Sequence, residues 1–410
     1  MTKNLNFNEI KDIWSKNVDP VMLYIHSPYC KSTCSYCVYR GCKEDEKLDY
    51  YYDSHLPEQI DKYMEILESQ EIKCIYFGGG TPNIRGVNKL IPTFKKLDHL
   101  KCMEKVIELH TGIKITDEDI EILSKFNFNT VILCIQTFNK NILARVNRYT
   151  KDINDIDLLI GKFHKVGIKV GIDLIQFNYS MEDSLEIKND LNFINSFRNK
   201  PDEITISPLY QSKCVESDLA SYFEILESAI TSMPYIIKDF DKYNISNYKL
   251  LRCWRLVLPE VSKNFNSDFY SFIPYLSENG SGIETSCIGI GSYKNIDKDT
   301  YSYNRDCTYI ETFDGEHLEY NLTKEYTFYD KVHSLINWME SVSVKSPPRD
   351  LKITISNVTN AHMSTNSVND KSQMCEFNIT SNNDPDYINE LNRELDKLNS
   401  LEEIISKYMN

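Results

Sequence analysis

The chain contains no apolar run long enough to span a bilayer as a helix, which takes about 20 consecutive apolar residues. Its start, Met1-Thr-Lys-Asn-Leu-Asn-Phe-Asn, lacks the basic-then-apolar order of a secretion signal. A cytoplasmic protein with no membrane association is therefore expected. A positive excess is also missing. With 46 Lys and Arg against 60 Asp and Glu the net charge is −14, so no general affinity for nucleic acid or anionic lipid is expected. Disulfide-framework spacing is absent as well. Outside one cluster the 12 cysteines are scattered through apolar, strand-like segments, which excludes a small secreted disulfide scaffold. There is no internal repeat and no long low-complexity tract, so a solenoid is excluded too. What remains is 410 residues with 41% hydrophobic content. That is enough to bury one large core with additions, or two domains.

The exceptional cluster is Cys30-Lys-Ser-Thr-Cys34-Ser-Tyr-Cys37, which follows the strand-like run Val21-Met-Leu-Tyr-Ile-His26. A C-x₃-C-x₂-C loop can place Cys30, Cys34 and Cys37 on three irons of a [4Fe–4S] cluster. A self-contained ferredoxin or zinc site needs a fourth protein ligand. An iron left without one can bind a small molecule, which makes the cluster a reagent rather than a wire. Such a cluster is easily oxidised, so an anaerobic host is expected. Cys42 is the one nearby candidate for a fourth ligand or a redox accessory. Cys74, Cys102, Cys134, Cys214, Cys253, Cys307 and Cys375 read as small packing thiols.

Short β-branched or aromatic runs alternate with longer amphipathic ones, the signature of parallel βαβ units. Strands are predicted at 21–26, 73–77, 105–109, 130–135, 168–175 and 203–207. Helices are predicted at 53–69, 87–98, 116–126, 139–147, 152–165 and 181–196, with Thr116-Asp-Glu-Asp reading as a capped start. The expected fold is α/β: a partial (β/α)₆ TIM-like barrel with a C-terminal α+β extension. The expected organisation is an N-terminal lead at 1–20, the barrel at 21–235, an extension covering the site at 236–345, and a small α+β tail at 346–410 ending in an amphipathic helix. In barrels, functional loops follow the C-terminal ends of the strands, which is where the three cysteines fall relative to the first strand.

Directly after the second predicted strand stands Tyr76-Phe77-Gly78-Gly79-Gly80-Thr81-Pro82. Three successive glycines remove every Cβ where a ligand must approach the backbone closely, and their N–H and C=O groups can pair with an amino-acid-like ligand. Taken alone, the triplet reads more readily as a tight strand-to-helix turn.

Together the two motifs resemble the radical S-adenosylmethionine (SAM) superfamily. Tyr24-Ile-His26-Ser-Pro-Tyr-Cys30, Tyr36-Cys37, Gly78-Gly-Gly-Thr-Pro82 and Ile135-Gln136-Thr-Phe-Asn139 resemble its branch of oxygen-independent coproporphyrinogen dehydrogenases and their relatives. Val146-Asn-Arg148, Gly171-Ile-Asp173-Leu-Ile175 and Ile288-Gly-Ile-Gly291 extend the likeness. The resemblance implies a [4Fe–4S] cluster on Cys30, Cys34 and Cys37, whose open iron chelates one SAM. It also implies an external one-electron reductant of flavodoxin or ferredoxin type, and a 5′-deoxyadenosyl radical that abstracts hydrogen from a small-molecule substrate. For the first SAM it implies contacts from Tyr24, Tyr36 and Glu108, with His26 facing the cluster. A second SAM is implied beside the first, at Gly79, Gly80, Thr81, Gln136, Arg148 and Asp173, with Gly78, Ile175 and Ile288 as further cofactor contacts. In that scheme Arg148 clamps a carboxylate, and Asp173 or Gln136 accepts from ribose hydroxyls or the ammonium.

Departures from the branch bear on the reaction. Only about twenty residues precede the first strand, Asp173-Leu-Ile-Gln176-Phe-Asn-Tyr179 replaces the usual Asp-Leu-Ile-Tyr-Gly-Leu-Pro, and Asn247-Tyr-Lys-Leu-Leu-Arg-Cys-Trp254 stands where haem-chaperone relatives carry His-Asn-x-x-Tyr-Trp. These changes favour a two-SAM methylase or cyclopropanase acting on an sp² carbon. Tyr179, Tyr210, Glu284 or Cys287 would then serve as base or reactive thiol. Two alternatives stay open. One is a tetrapyrrole-modifying oxidoreductase using Arg252, Arg255 and Arg305 for propionates; the other is a haem chaperone with His110 or His164 as axial ligand.

Overall fold

The computed structural model describes residues 48–148 together with 21–32, 34–37, 153–177 and 185–208; elsewhere it describes short strands and a few single residues. Six strands run in parallel and in chain order: β1 (Val21–Ser27), β2 (Ile72–Gly79), β3 (Glu104–Leu109), β4 (Thr130–Gln136), β5 (Lys169–Gln176) and β6 (Glu203–Pro208). Each hydrogen-bonds to the next, with Leu23 beside Ile75, Phe77 beside Ile107, Leu109 beside Leu133 and Ile172 beside Ile204. All six sequence-predicted strands are present, each within a residue or two of its expected limits.

The helices between them are α1 (Leu56–Glu68), α2 (Ile91–Leu97), α3 (Asp117–Lys125), α4 (Lys140–Arg145), α5 (Ile153–Lys165) and α6 (Leu185–Ser196). In α1, Leu56, Ile60, Tyr63 and Leu67 recur at helical spacing and are all buried. In α3 the expected capping box is complete. The Asp119 N–H donates to Thr116 Oγ1 at 3.1 Å, and the Asp119 carboxylate accepts from the Thr116 N–H at 2.8 Å. The other Asp119 oxygen accepts from the buried Val87 N–H at 2.9 Å, which ties α3 to the segment after the glycine triplet.

The period-two alternation of the strands sorts two environments. Leu23, Ile25, Ile75, Phe77, Ile107, Leu109, Val131, Leu133, Val170 and Ile172 join the helices in the main core. The intervening residues face the concave side of the sheet, where the apolar cluster shrinks to Cys74, Tyr76, Val106 and Ile132, with Tyr24 against it. Above that small cluster the same face carries Tyr24, Tyr76, Glu108, Cys134 and Asp173. The barrel interior is therefore apolar at its base and polar toward the C-terminal ends of the strands.

Six strands from the 236–345 stretch, and Lys3–Leu5, extend this sheet at its two margins, making thirteen among the described residues. Ser286–Ile290 runs parallel to β1, with Ile288 opposite Leu23 and Cys287 opposite Met22. Beyond it follow antiparallel Thr300–Asn304, Cys307–Phe313, Leu318–Leu322 and finally Lys3–Leu5. At the other margin Arg255–Val257 pairs antiparallel with β6, and Lys249–Arg252 with Arg255–Val257. In the tail, Lys352–Asn357 and Cys375–Thr380 form an antiparallel pair. The amphipathic helix expected near 384–408 lies outside the described residues except for Asn389. No helix among the described residues is long and apolar enough to cross a membrane.

Candidate functional site

The cysteine loop leaves β1 and returns over the mouth of the barrel. Cys34 is buried and Cys30 and Cys37 half-buried, all as free thiols. The Cys37 N–H donates to the Cys34 carbonyl at 3.2 Å, a turn that keeps these two sulfurs on neighbouring positions. The loop is pinned to the segment that follows α4. The Ser35 N–H donates to the Val146 carbonyl and Ser32 Oγ to the Asn147 carbonyl, both at 3.2 Å. Among the described residues no three His, Cys, Asp or Glu side chains converge as ligands of one metal ion. Thiolates of a cluster instead sit on separate irons.

Under the loop lies the glycine triplet. The Gly80 N–H donates to the Ser27 carbonyl at 2.6 Å. A Cβ at Gly80 would stand 2.7 Å from both the Ser27 and Tyr29 carbonyl oxygens and 2.9 Å from Cys30 Sγ. At Gly79 the backbone φ is +104°, and a Cβ would meet His26 Nδ1 at 2.4 Å. A Cβ at Gly78 would fall among the rings of Tyr76 and Tyr24 and the Glu108 carboxylate. The triplet is thus more than a turn: it makes room for the Cys30 sulfur and for the polar wall beneath it. The three thiols, the Cβ-free backbone beside them and the carboxylate fit a [4Fe–4S] cluster carrying SAM.

That polar wall centres on Glu108. The Tyr76 hydroxyl donates to Glu108 Oε1, and the Tyr76 ring stacks on Tyr24 with centroids 5.9 Å apart and 17° between planes. The Tyr24 hydroxyl lies 3.3 Å from His26 Nδ1. Burial pushes the Glu108 carboxyl up, opposed by the Tyr76 hydroxyl, the Gly79 N–H and the charge of Arg148. Burial also pushes the Tyr76 phenol well up, helped by the nearby Glu108 and Asp173 carboxylates. Cys134 sits in the same field: burial, Glu108 and Asp173 raise its thiol well above the usual range. It is therefore a neutral S–H, a packing thiol whose neighbours are polar as well as apolar. Tyr76 was not among the expected contacts. Its position two residues before Gly78, on the same face of β2, was the available signal.

The structure brings together Cys30, Cys34, Tyr36, Tyr24, His26, the glycines, Glu108, Arg148 and Asp173. Gln136 ends β4 buried, in the left-handed region at φ +73°, where the pairing with β5 slips by a residue. Thr81 is buried at the turn and Ile175 is half-buried on β5. Ile288 and Cys287 are placed by register alone, beside β1. Tyr179, Tyr210, Glu284 and Arg305 lie outside the described residues. Arg148 lies between the cysteine loop and β4. Its Nη2 donates to the Cys134 carbonyl and its Nη1 lies 3.8 Å from Cys34 Sγ, so its guanidinium faces the cysteine loop. Tyr36 is packed edge-on against Phe177; burial raises its phenol, Arg148 opposes this, and Cys34 adds to it.

The two histidines considered as axial ligands are differently placed. His164 is on α5 at the outer surface, its Nε2 2.9 Å from Asp202. His110 ends β3 near the mouth, and its Nδ1 accepts from the Gly112 N–H at 2.9 Å, which puts the proton on Nε2. Burial, with Arg148 opposing a second positive charge, pushes His110 down to about 3. The folded state thus binds fewer protons than the unfolded one below the usual histidine pKa of about 6.5. Stability contributed by neutral His110 is complete above about pH 6.5 and is lost progressively as pH falls toward 3. His110→Asn is expected to flatten this acid sensitivity by a few kcal/mol at most, read as urea midpoints between pH 7 and 4. An unchanged slope would refute the assignment.

Residues 24–190 match the family model described as the Radical SAM superfamily. The heme chaperone HemW of Lactococcus lactis subsp. lactis (strain IL1403) is 24% identical over 296 residues, 70% of this chain and 67% of that protein. HemW of Buchnera aphidicola subsp. Schizaphis graminum is 24% identical over 250 residues, 57% of this chain and 63% of that protein, so the chain spans less than two thirds of its length. Among solved structures, coproporphyrinogen III oxidase (HemN) from Escherichia coli, described as a radical SAM enzyme, is similar with a TM-score of 0.59 at 17% identity. The match covers 82% of this chain and 80% of that one, a likeness of fold.

Proposed function

Residues 24–190 form a radical SAM domain of the coproporphyrinogen-dehydrogenase-like branch, and from that premise we propose that this chain is a SAM-cleaving protein whose second ligand is a tetrapyrrole. The observation that carries the first half is the fit between the cysteine loop and the glycine triplet, with Glu108 directly beneath. When bound, the cluster and SAM supply a 5′-deoxyadenosyl radical. The chain's own residues hold and shelter: Cys30, Cys34 and Cys37 ligate, Glu108 receives the methionine ammonium, and the enclosed concave face excludes water.

The tetrapyrrole half is supported by the relatives, which are haem chaperones and a coproporphyrinogen oxidase. It is supported also by two arginines at the β6 margin, Arg255 opposite Thr205 and Arg252 opposite Arg255, suitable for propionate carboxylates. The methylation or cyclopropanation expected from the sequence is less well supported. None of the relatives reported above is a methylase, and Arg148, which that scheme gave to a second SAM, is engaged with Cys34 and Cys134.

The test is anaerobic reconstitution followed by methyl-deuterated SAM, a one-electron reductant, and either coproporphyrinogen III or haem. Unlabelled 5′-deoxyadenosine without S-adenosylhomocysteine, together with a macrocycle-dependent absorbance change, is the expected result. Deuterated 5′-deoxyadenosine with S-adenosylhomocysteine would return the reading to methylation. A further prediction concerns Tyr76. Tyr76→Phe removes the donor that orients Glu108, and a lost hydrogen bond of about 1.4 kcal/mol corresponds to about tenfold in affinity. SAM should bind about tenfold more weakly by equilibrium dialysis, with iron content unchanged.

A further inference from the structure

We propose that Arg148 sets the reduction potential of the cluster by holding a positive charge against the Cys34 sulfur. The inference rests on the cluster assignment above and goes beyond it, since it assigns Arg148 to the metal side of the site.

The geometry has three independent parts. First, the backbone at Arg148 is fixed. Helix α4 closes through Asn147 in the left-handed region at φ +56°, with the Asn147 N–H on the Ala144 carbonyl at 3.2 Å and the Arg148 N–H on the Leu143 carbonyl at 2.8 Å. Second, the same segment grips the cysteine loop, through the Val146 carbonyl on the Ser35 N–H and the Asn147 carbonyl on Ser32 Oγ. Third, the guanidinium spans the two: Nη2 anchors on the Cys134 carbonyl of β4, and Nη1 reaches Cys34 Sγ at 3.8 Å. Its Nε is buried without a hydrogen-bond partner. An arginine used mainly to fasten loops would have its donors on carbonyls. This one leaves a nitrogen unpaired and turns another toward a thiol.

The chemistry follows from charge. Adding one electron to a thiolate-bound cluster increases negative charge on the ligand sulfurs. A buried cation beside one sulfur stabilises the reduced state more than the oxidised one, because little water is present to screen it. Hydrogen bonds to the sulfurs, local charge and burial are the levers by which a protein moves such potentials. Arg148 therefore makes the one-electron reduction easier, and the electron comes from the external reductant. No proton or bond change accompanies the step.

The experiment is a redox titration of the full-length, anaerobically reconstituted protein without SAM, following the reduced-cluster signal by electron paramagnetic resonance. R148Q removes the charge and is expected to be about tenfold harder to reduce, a midpoint about 59 mV more negative for a one-electron couple. R148K restores charge without the planar fork and should fall between. S32A removes one grip on the loop while leaving the guanidinium, and should titrate like the wild type. A wild-type midpoint in R148Q overturns the proposal, as does a shift in S32A as large as in R148Q, which would make loop looseness the cause. If R148Q does not retain the cluster, R148M, which also removes the charge, carries the test, and a wild-type midpoint in it overturns the proposal. A wild-type protein that shows no cluster signal at all would instead sink the radical SAM reading itself.

Discussion

Cys34→Ala is expected to take iron incorporation and SAM cleavage to background. Cys34 is the most buried of the three thiols and the middle ligand of the loop, with the turn to Cys37 formed on its own carbonyl. In the proposed assignment three thiolates are the whole protein share of the cluster, so losing one would leave two irons without protein ligands. The substitution itself is mild for the fold, because alanine keeps the turn and removes only one sulfur. Iron and sulfide assays, the cluster absorbance and 5′-deoxyadenosine release should fall together while far-ultraviolet circular dichroism stays unchanged. SAM cleavage retained in this variant would refute the ligand assignment.

Gly80→Ala is expected to cost nearly as much, by a purely steric route. The new methyl group would collide with two backbone carbonyl oxygens, of Ser27 and Tyr29, and with Cys30 Sγ, all within 2.9 Å. Carbonyls of a strand end cannot swing aside as a flexible side chain can. Either the cysteine loop lifts or β2 retreats, at about 1–3 kcal/mol or more. Cluster content should therefore drop severalfold and the urea midpoint should fall. Gly167→Ala is the informative comparison. Gly167 has a positive φ, +79°, which Gly80 lacks, and nothing lies within 4 Å of the added methyl. It should lose stability through backbone strain alone, about 1–2 kcal/mol, and keep its iron. Equal iron loss in both variants would mean that lowered stability in general, and not the Cys30 contact, is the cause.

The strands were legible because parallel strands covered by helices read as near-continuous apolar runs such as Val131-Ile-Leu and Ile75-Tyr-Phe77. Local chemistry was legible too: Thr116 and Asp119 form the capping box that their spacing announces. The cysteine loop and the glycine triplet were readable as motifs because each needs particular residue types close together in the chain. Arg148 was not, since the direction of a side chain beyond a helix end depends on a left-handed asparagine and on a loop more than a hundred residues earlier. The polar side of the Cys134 surroundings was hidden for a related reason. A cysteine in an apolar strand reads as packing until the neighbouring strands place Glu108 and Asp173 on the same face. Glu108 was expected at the site but Tyr76 was not, although strand alternation puts Tyr76 in line with Gly78; their pairing across β2 and β3 is what the sequence did not show.

The strand Ser286–Ile290 has a consequence for how this chain is made. It is the neighbour that closes the open side of β1, residue for residue from Val21 to Ile25. Until it arrives, β1 presents a row of unpaired N–H and C=O groups flanked by Leu23 and Ile25, a template on which a second nascent copy can add. Its partner comes from far along the chain, a contact of high sequence separation and hence slow to form. A truncated form ending after β6 would therefore be sticky rather than merely inactive, and synthesis of the intact chain passes through the same exposed state before the barrel is sealed.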